Sequence, residues 1–405
     1  MVGYNLLLAV KYLNINYKKH AWVEIDLDAL NANVDAIKSR LDGATLIAVV
    51  KADGYGHGAI QIAKHLESIG INYFAVSCIR EAIELRQNGI TTDILILGYT
   101  DPDEIELVAD NNICQAVYSL EYATLLSKKL QVLNKSVNIH LKLNTGMNRL
   151  GFNCTNGTPI DELVETLSLP HLNFEGLFTH FAACDRDGDP DGDFTNTQFE
   201  RFMSAKSALL EKGFIPKICH TCNSAGTLLE TNKHLSAVRT GIILYGLTPD
   251  SNLELPCALS PVLSLKATVS SINTIGKDQG VSYGLTFKAE KDLTTATVTI
   301  GYADGYPRFL SNCGEVLIGG NRCKILGRVC MDQLVVDITN IDDVKIGDEV
   351  VLIGKSDSEI ITADEIAALG KTINYEIVCG ISRRVPRYYL KGGKTVFQVD
   401  YIVGM

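Results

Sequence analysis

The chain has 405 residues, 46% hydrophobic and 21% charged, with a formal net charge of -10. That length exceeds one ordinary domain, and the composition suits a soluble globular protein with a sizeable core. The acidic balance excludes nucleic acid and anionic membrane as preferred partners.

Residues 1–20 read as an extension. Their apolar run, YNLLLAVKYL, is too short to span a bilayer, and no basic residue precedes it. An extra N-terminal helix is expected there, and no membrane partner. From residue 21 to 254 strand-like and helix-like segments alternate. Strands are expected at 45–51, 73–78, 93–98, 114–118, 137–143, 174–180, 217–223 and 235–242. AIQIAKHLESIG and QFERFMSAKSALLEKG carry apolar residues at helical spacing between them. Alternation of this kind implies parallel strands joined by right-handed crossovers, and eight such strands close into a (β/α)8 TIM-type barrel, an α/β fold.

Beyond residue 255 the runs shorten and alternate. LSLKATVSSINTI, TATVTIGYA, EVLIGGNRCKILG, DQLVVDI and DEVVLIG predict a mainly β C-terminal domain over 255–405. TADEIAALGKTINYEIVCG is expected to be one helix there, with Thr362 and Glu365 forming a capping box. The eleven cysteines have no disulfide rhythm, which points to a reducing cytoplasm. Cys219 and Cys222 form a CxxC without a second ligand pair, so they read as small strand residues and no metal is expected.

Four polar residues fall at the C-terminal ends of barrel strands, the rim where barrel enzymes carry their chemistry: Lys51, His180, Asn223 and Arg239. Any one of them alone reads as a satisfied polar group. Four at one rim argue for a site, because buried charge is costly unless paired or used. A desolvated lysine can form a Schiff base with an aldehyde. Phosphate sites of barrels commonly use the loops after strands seven and eight, which here open with NSAG and TGI. GYGHG is not a dinucleotide fingerprint. The aldehyde cofactor that fits is pyridoxal phosphate, with Arg239 a candidate partner for its pyridine nitrogen.

AVVKADGYGHG (48–58) resembles the cofactor-lysine motif of the alanine racemases. LKLNTGMNRLGF, GLFTHFA, CNSAGT, VRTGIILYG, GVSYGLTF, GYADGYPR, GRVCMDQ and INYEIVCGISRRVPR resemble the family's other signatures, in the family's order, from about residue 21 to 390. The resemblance implies pyridoxal phosphate bound through Lys51, which is also one of two catalytic bases. Tyr283 matches the other base, supplied by the second subunit of a head-to-tail homodimer with shared active sites. His180 matches the residue that orients that tyrosine, and Arg239 the pyridine-nitrogen partner. Tyr55, Ser224, Gly241, Ile242 and Tyr375 match the phosphate cradle, and Asn223 is expected among the cofactor-binding residues. Arg149 matches the residue near the cofactor phenolic oxygen and the substrate carboxylate, and Met331 the one whose backbone amide meets that carboxylate. Lys142 matches a lysine often carbamylated to hold that arginine. Tyr302, Asp185, Arg308 and Arg328 match the substrate entryway.

The implied activity interconverts L- and D-alanine in the cytoplasm and supplies D-alanine for the peptidoglycan of the cell wall. Racemisation needs a base on each face of a planar carbanion, one abstracting while the other donates. Each residue has a plainer reading: Tyr302 and Tyr375 as half-buried aromatics, Met331 as packing, Lys142 as a lysine snorkelling outward. Asn144 and Asn148 depart from the family's pattern on either side of Arg149. VSYG and GYADG count against a decarboxylase of the related barrel family, and two further alternatives stand beside the alanine enzyme. One is a serine racemase of the same family, against which the ring of Tyr375 would crowd a larger substrate. The other is a non-catalytic pyridoxal phosphate carrier, against which the β domain counts.

Overall fold

The computed structural model describes residues 20–185, 189, 192–250 and 253–404. The helix expected in the N-terminal extension lies outside the described residues. The chain divides into two compact units, one of residues 31–260 and one combining the segment before it with residues from 261 onward. The first strand, β1 (Ala21–Asp26), belongs to the second.

The unit of residues 31–260 is a closed barrel of eight parallel strands. They are β2 (Thr45–Val49), β3 (Tyr73–Val76), β4 (Asp93–Ile96), β5 (Cys114–Val117), β6 (Val137–Asn144), β7 (Leu172–Phe178), β8 (Ile218–His220) and β9 (Ala237–Thr240). Closure comes from β9 pairing with β2, which sets Arg239 opposite Ile47. Strands such as Tyr73–Val76 and Cys114–Val117 are buried throughout, as expected where helices cover a parallel sheet. The helix Ala59–Ser68 buries Ile62, Ala63 and Leu66, one apolar stripe at helical spacing. Ser119 caps the helix Leu120–Leu133 by accepting the Tyr122 N–H, a contact worth about 1 kcal/mol.

The second unit is mainly β. Its strands are β10 (Leu263–Ile275), β11 (Leu293–Val298), β12 (Glu315–Ile318), β13 (Asn321–Lys324), β14 (Leu334–Asp337), β15 (Glu349–Ser356), β16 (Glu359–Ile361), β17 (Arg387–Lys391) and β18 (Lys394–Val399). The main sheet runs β13-β12-β15-β10-β1-β17-β18.

This corrects the expected start of the barrel at residue 21. β1 pairs antiparallel with β10 and parallel with β17, and Lys266 ties it down through Glu24 and Glu349, both at 3.0 Å. Its partners lie more than two hundred residues downstream, so nothing in its local pattern announces them.

Two local corrections follow in the same unit. The expected single helix is two, Ala363–Gly370 and Asn374–Cys379, because Lys371 turns left-handed (φ 53°) and closes the first helix. The capping box is half formed. Thr362 Oγ accepts the Glu365 N–H at 3.0 Å, but the Glu365 carboxylate bonds Arg322 instead of returning to the cap. Among the described residues no helix is long and apolar enough to cross a membrane.

Candidate active site

β2 ends at Val49, and the segment Lys51–Tyr55 that follows is a left-handed turn. Ala52, Asp53 and Tyr55 have φ of 53°, 54° and 54°. Each such non-glycine residue costs about 1–2 kcal/mol, so the surroundings must hold the turn. The Ala52 N–H donates to Glu81 Oε1 (2.7 Å), and Asp53 Oδ1 accepts the Ala59 N–H (3.0 Å). The turn explains why no helix cap follows Lys51, and it sets that lysine at the barrel's C-terminal rim.

Beside it, Tyr55 is buried with its hydroxyl against Gly241: a Cβ on that glycine would fall 2.5 Å from Tyr55 Oη. The Gly241 N–H donates to Ser224 Oγ at 3.0 Å. Two hydroxyls and a backbone amide therefore converge at the start of the turn Ile242–Tyr245. Asn223 Oδ1 accepts the Gly226 N–H (3.0 Å) and its Nδ2 donates to Phe181 O (3.3 Å), so its side chain caps the helix Ser224–Leu229 and orients Ser224. Helix geometry leaves the first amides of that segment without an internal acceptor. This donor set suits a phosphate.

Arg239 is 3% exposed. Its Nη2 donates to Thr179 O (2.7 Å) and Thr221 O (3.0 Å) and lies 3.3 Å from His180 Nδ1. Its Nη1 donates to His220 O (3.0 Å) and to His220 Nδ1. The Nε–H is the one guanidinium donor with no partner among the described residues. Burial pulls the Arg239 pKa down to about 10, which leaves it charged at neutral pH. Burial, followed by the Arg239 charge, holds His180 well below its ordinary value, so its imidazole is neutral.

Lys142 does not snorkel outward. It is 5% exposed, with Nζ 5.0 Å from the centre of the Phe178 ring. Burial first, then Arg239 and Arg149, lower its pKa to about 7. Arg149 itself is exposed. The two departures flanking it bond each other: Asn144 Nδ2 donates to Asn148 Oδ1 (3.0 Å), and Asn144 Oδ1 accepts the Asn148 N–H (2.9 Å). Asn148 has φ 57°, a conformation asparagine tolerates well, so the pair fixes the loop that carries Arg149.

The other expected residues lie in the second unit. Tyr283 opens the turn Tyr283–Leu285 and is 72% exposed. It shares a cleft with Ser282, Cys330, Met331, Asp332 and Gln333. Ser282 Oγ donates to Arg328 O (2.7 Å), and the Arg328 guanidinium lies beside Gly284. The Tyr302 N–H donates to Cys330 O and the Ala303 N–H to Met331 O, both at 3.0 Å. Gly301 permits this, since a Cβ there would meet those carbonyls at 2.3 Å. Tyr375 is half-buried in the helix Asn374–Cys379, and Arg308 is exposed. Asp185 follows β7 and is half-buried.

Sequence reasoning passed over Glu81, His220 and Arg384. Arg384 bonds Asp332 at 2.7 Å and the buried Asp304 at 3.4 Å, which steadies the Met331 segment. It stands inside ISRRVPR, a stretch whose arginine density was the available signal. All eleven cysteines are free thiols.

Comparison with known proteins matches this architecture. The family model described as alanine racemase, N-terminal domain, covers residues 25–249, and that for the C-terminal domain covers 262–389. An alanine racemase of Clostridium tetani is 43% identical over 94% of this chain and 98% of its own. The alanine racemase structure from Clostridium difficile 630 superposes with a TM-score of 0.89 at 39% identity, covering 96% of this chain and all of that one. The Bacillus anthracis alanine racemase with bound L-Ala-P gives a TM-score of 0.90 at 37% identity, with coverage of 96% and 100%. The chain belongs to the alanine racemase family.

Proposed function

We propose that this chain interconverts L- and D-alanine with pyridoxal phosphate, using Lys51 and Tyr283 as opposed bases. The observation that carries the reading is Arg239. It is buried, charged, fastened by four acceptor residues, and left with a single N–H, the Nε–H, among the described residues. That remaining donor suits an aromatic nitrogen. The Tyr55–Ser224–Gly241 cluster suits the phosphate, and a side chain at position 241 would fill it. Lys51 would hold the aldehyde carbon, with Ile242 contributing its amide and Tyr375 its hydroxyl to the phosphate. When bound, pyridoxal phosphate supplies an electron sink that acidifies the substrate's α-proton. A cationic donor at its ring nitrogen keeps that nitrogen unprotonated, which moderates the sink and suppresses side reactions.

The residues of the chain divide the remaining work. Lys51 takes or gives the proton on one face and Tyr283 on the other, each acting as the base in its deprotonated form. Because Arg239 can only donate, His180 Nδ1 accepts and His180 Nε2 carries the hydrogen. That N–H can donate to the tyrosine oxygen and favour the phenolate. Arg149 and the Met331 amide would receive the substrate carboxylate. Alanine is also the substrate in the names of the relatives.

Tyr283 would come from the second subunit of a homodimer. Tyr283, Leu285 and Met331, at 72%, 58% and 52% exposure, give that face the apolar character of an interface. Eleven free thiols fit a reducing cytoplasm, where D-alanine made by the enzyme would feed peptidoglycan. A racemisation assay of the purified protein across L-alanine and L-serine tests the reading. Alanine should be preferred and activity should depend on added pyridoxal phosphate; a preference for serine contradicts it.

A further inference from the structure

Within the barrel, Arg239 leads into a row of polar side chains that the racemase reading leaves unused. His220 and His140 are fully buried, Tyr73 is 5% exposed and Cys114 is 7% exposed. His220 Nδ1 meets Arg239 Nη1, His220 Nε2 lies 2.8 Å from His140 Nδ1, and His140 Nε2 lies 3.1 Å from Tyr73 Oη. The Cys114 thiol lies beside this row, its sulfur within 4.8 Å of a His140 ring nitrogen. Room for the row is built into the neighbouring strand: Gly176 stands opposite His140, and a Cβ there would fall 2.5 Å from the imidazole ring.

The direction of this row follows from elementary chemistry. A guanidinium has donors only, so His220 Nδ1 accepts. Burial and the Arg239 charge hold His220 well below its ordinary pKa, and burial takes His140 down to about 3, so both rings are neutral. A neutral ring that accepts at Nδ1 carries its hydrogen at Nε2. His220 therefore donates to His140 Nδ1, and His140 donates to Tyr73.

We propose that His140 and Tyr73 are positioning residues, holding His220 in the one tautomer that can accept from Arg239 and so fixing the guanidinium at the cofactor ring. What Arg239 does there rests on the racemase reading; the direction of the chain does not. Without an acceptor at His140 Nδ1, the His220 N–H loses its partner in the barrel interior. The ring is then free to rotate or to take the other tautomer, which sets N–H against N–H at Arg239. The same direction closes another use of the cluster. Cys114, His140 and Glu175 bring ligand atoms within 4.8 Å of one another, but His140 Nε2 carries a hydrogen and has no lone pair for a metal.

Nitrogen NMR of the holoenzyme labelled at histidine tests the chain directly. Both His140 and His220 should be neutral with the hydrogen on Nε2 across the neutral pH range. His140→Leu should lower kcat about tenfold to a hundredfold with little change in KM, and should disturb the His220 signal. His140→Asn, whose amide oxygen can stand in for Nδ1, should restore most of both. A hydrogen on Nδ1 of either ring in the unaltered protein overturns the proposal, and that reading stands even if His140→Leu does not fold. So does His140→Leu with native kcat and an unchanged His220 signal. A thiolate-to-metal band on adding cobalt(II), lost in Cys114→Ser, also overturns it. A protein that racemises nothing yet shows the stated tautomers contradicts the racemase reading while supporting the chain's direction.

Discussion

The Tyr55 hydroxyl occupies the space where a side chain at position 241 would begin: a Cβ on Gly241 would sit 2.5 Å from Tyr55 Oη. The contact is side chain against backbone, and φ at this glycine is negative, so space rather than conformation demands glycine. Gly241→Ala should displace Tyr55 and leave the barrel folded. Losing one hydrogen bond to a charged phosphate is worth about 1.5–3 kcal/mol, so the Kd for pyridoxal phosphate should rise about tenfold or more. Titration of cofactor-free protein checks this, and Tyr55→Phe, which removes the same hydrogen bond, should cost about as much and add little to Gly241→Ala.

Arg384 links Asp332, on the cleft that holds Tyr283 and Met331, to Asp304, which is 1% exposed. Arg384→Ala leaves a buried carboxylate without its cation and frees the Met331 segment. A stability loss of about 1–3 kcal/mol is expected, with KM for alanine raised more than kcat is lowered. Denaturant unfolding and steady-state kinetics measure the two effects; an unchanged KM contradicts the positioning of that segment.

Lys142 gives a pH signature. Its pKa is lowered to about 7, mainly by burial, so between there and the ordinary lysine range the unfolded chain holds a proton that the folded chain does not. Stability should therefore climb with pH in that window, by at most about 1.4 kcal/mol per pH unit. Lys142→Met removes this slope. In buffers free of carbon dioxide the mutant should be the more stable at neutral pH, and the gap should narrow as pH rises. A neutral amine is also the form that captures carbon dioxide, so carbamylation should suppress the slope in ordinary buffers.

The proposed dimer with shared active sites predicts complementation. Lys51→Ala and Tyr283→Phe proteins should each be nearly inactive. After subunit exchange the mixture should regain activity, because one site of each mixed dimer has both bases. Proven exchange without recovery would mean that each subunit's site is self-contained.

The barrel was legible because its strands are buried on both faces and read as continuous apolar runs, as in TLIAVVK and DILILG. The rim residues were legible because a lysine, a histidine and an arginine interrupt those runs at their C-terminal ends. β1 was not, since AWVEID acquires its identity only from β10 and β17 far along the chain. The break at Lys371 was hidden by a side chain that gives no left-handed signal. Lys142 could be misread as snorkelling because nothing in NIHLKL says which face the barrel encloses. The histidine row was equally opaque: His140 and His220 are eighty positions apart, and each alone is an ordinary strand histidine.

The assignment of opposed bases is tested most directly by exchange of the α-proton with deuterated solvent in Tyr283→Phe. By the family resemblance Lys51 serves D-alanine and Tyr283 serves L-alanine. The mutant keeps Lys51 and its left-handed turn, so exchange from D-alanine should persist. Exchange from L-alanine should fall by about 10²- to 10⁴-fold, the usual cost of a lost base. Equal loss for both enantiomers would contradict the account and require one base that reaches both faces.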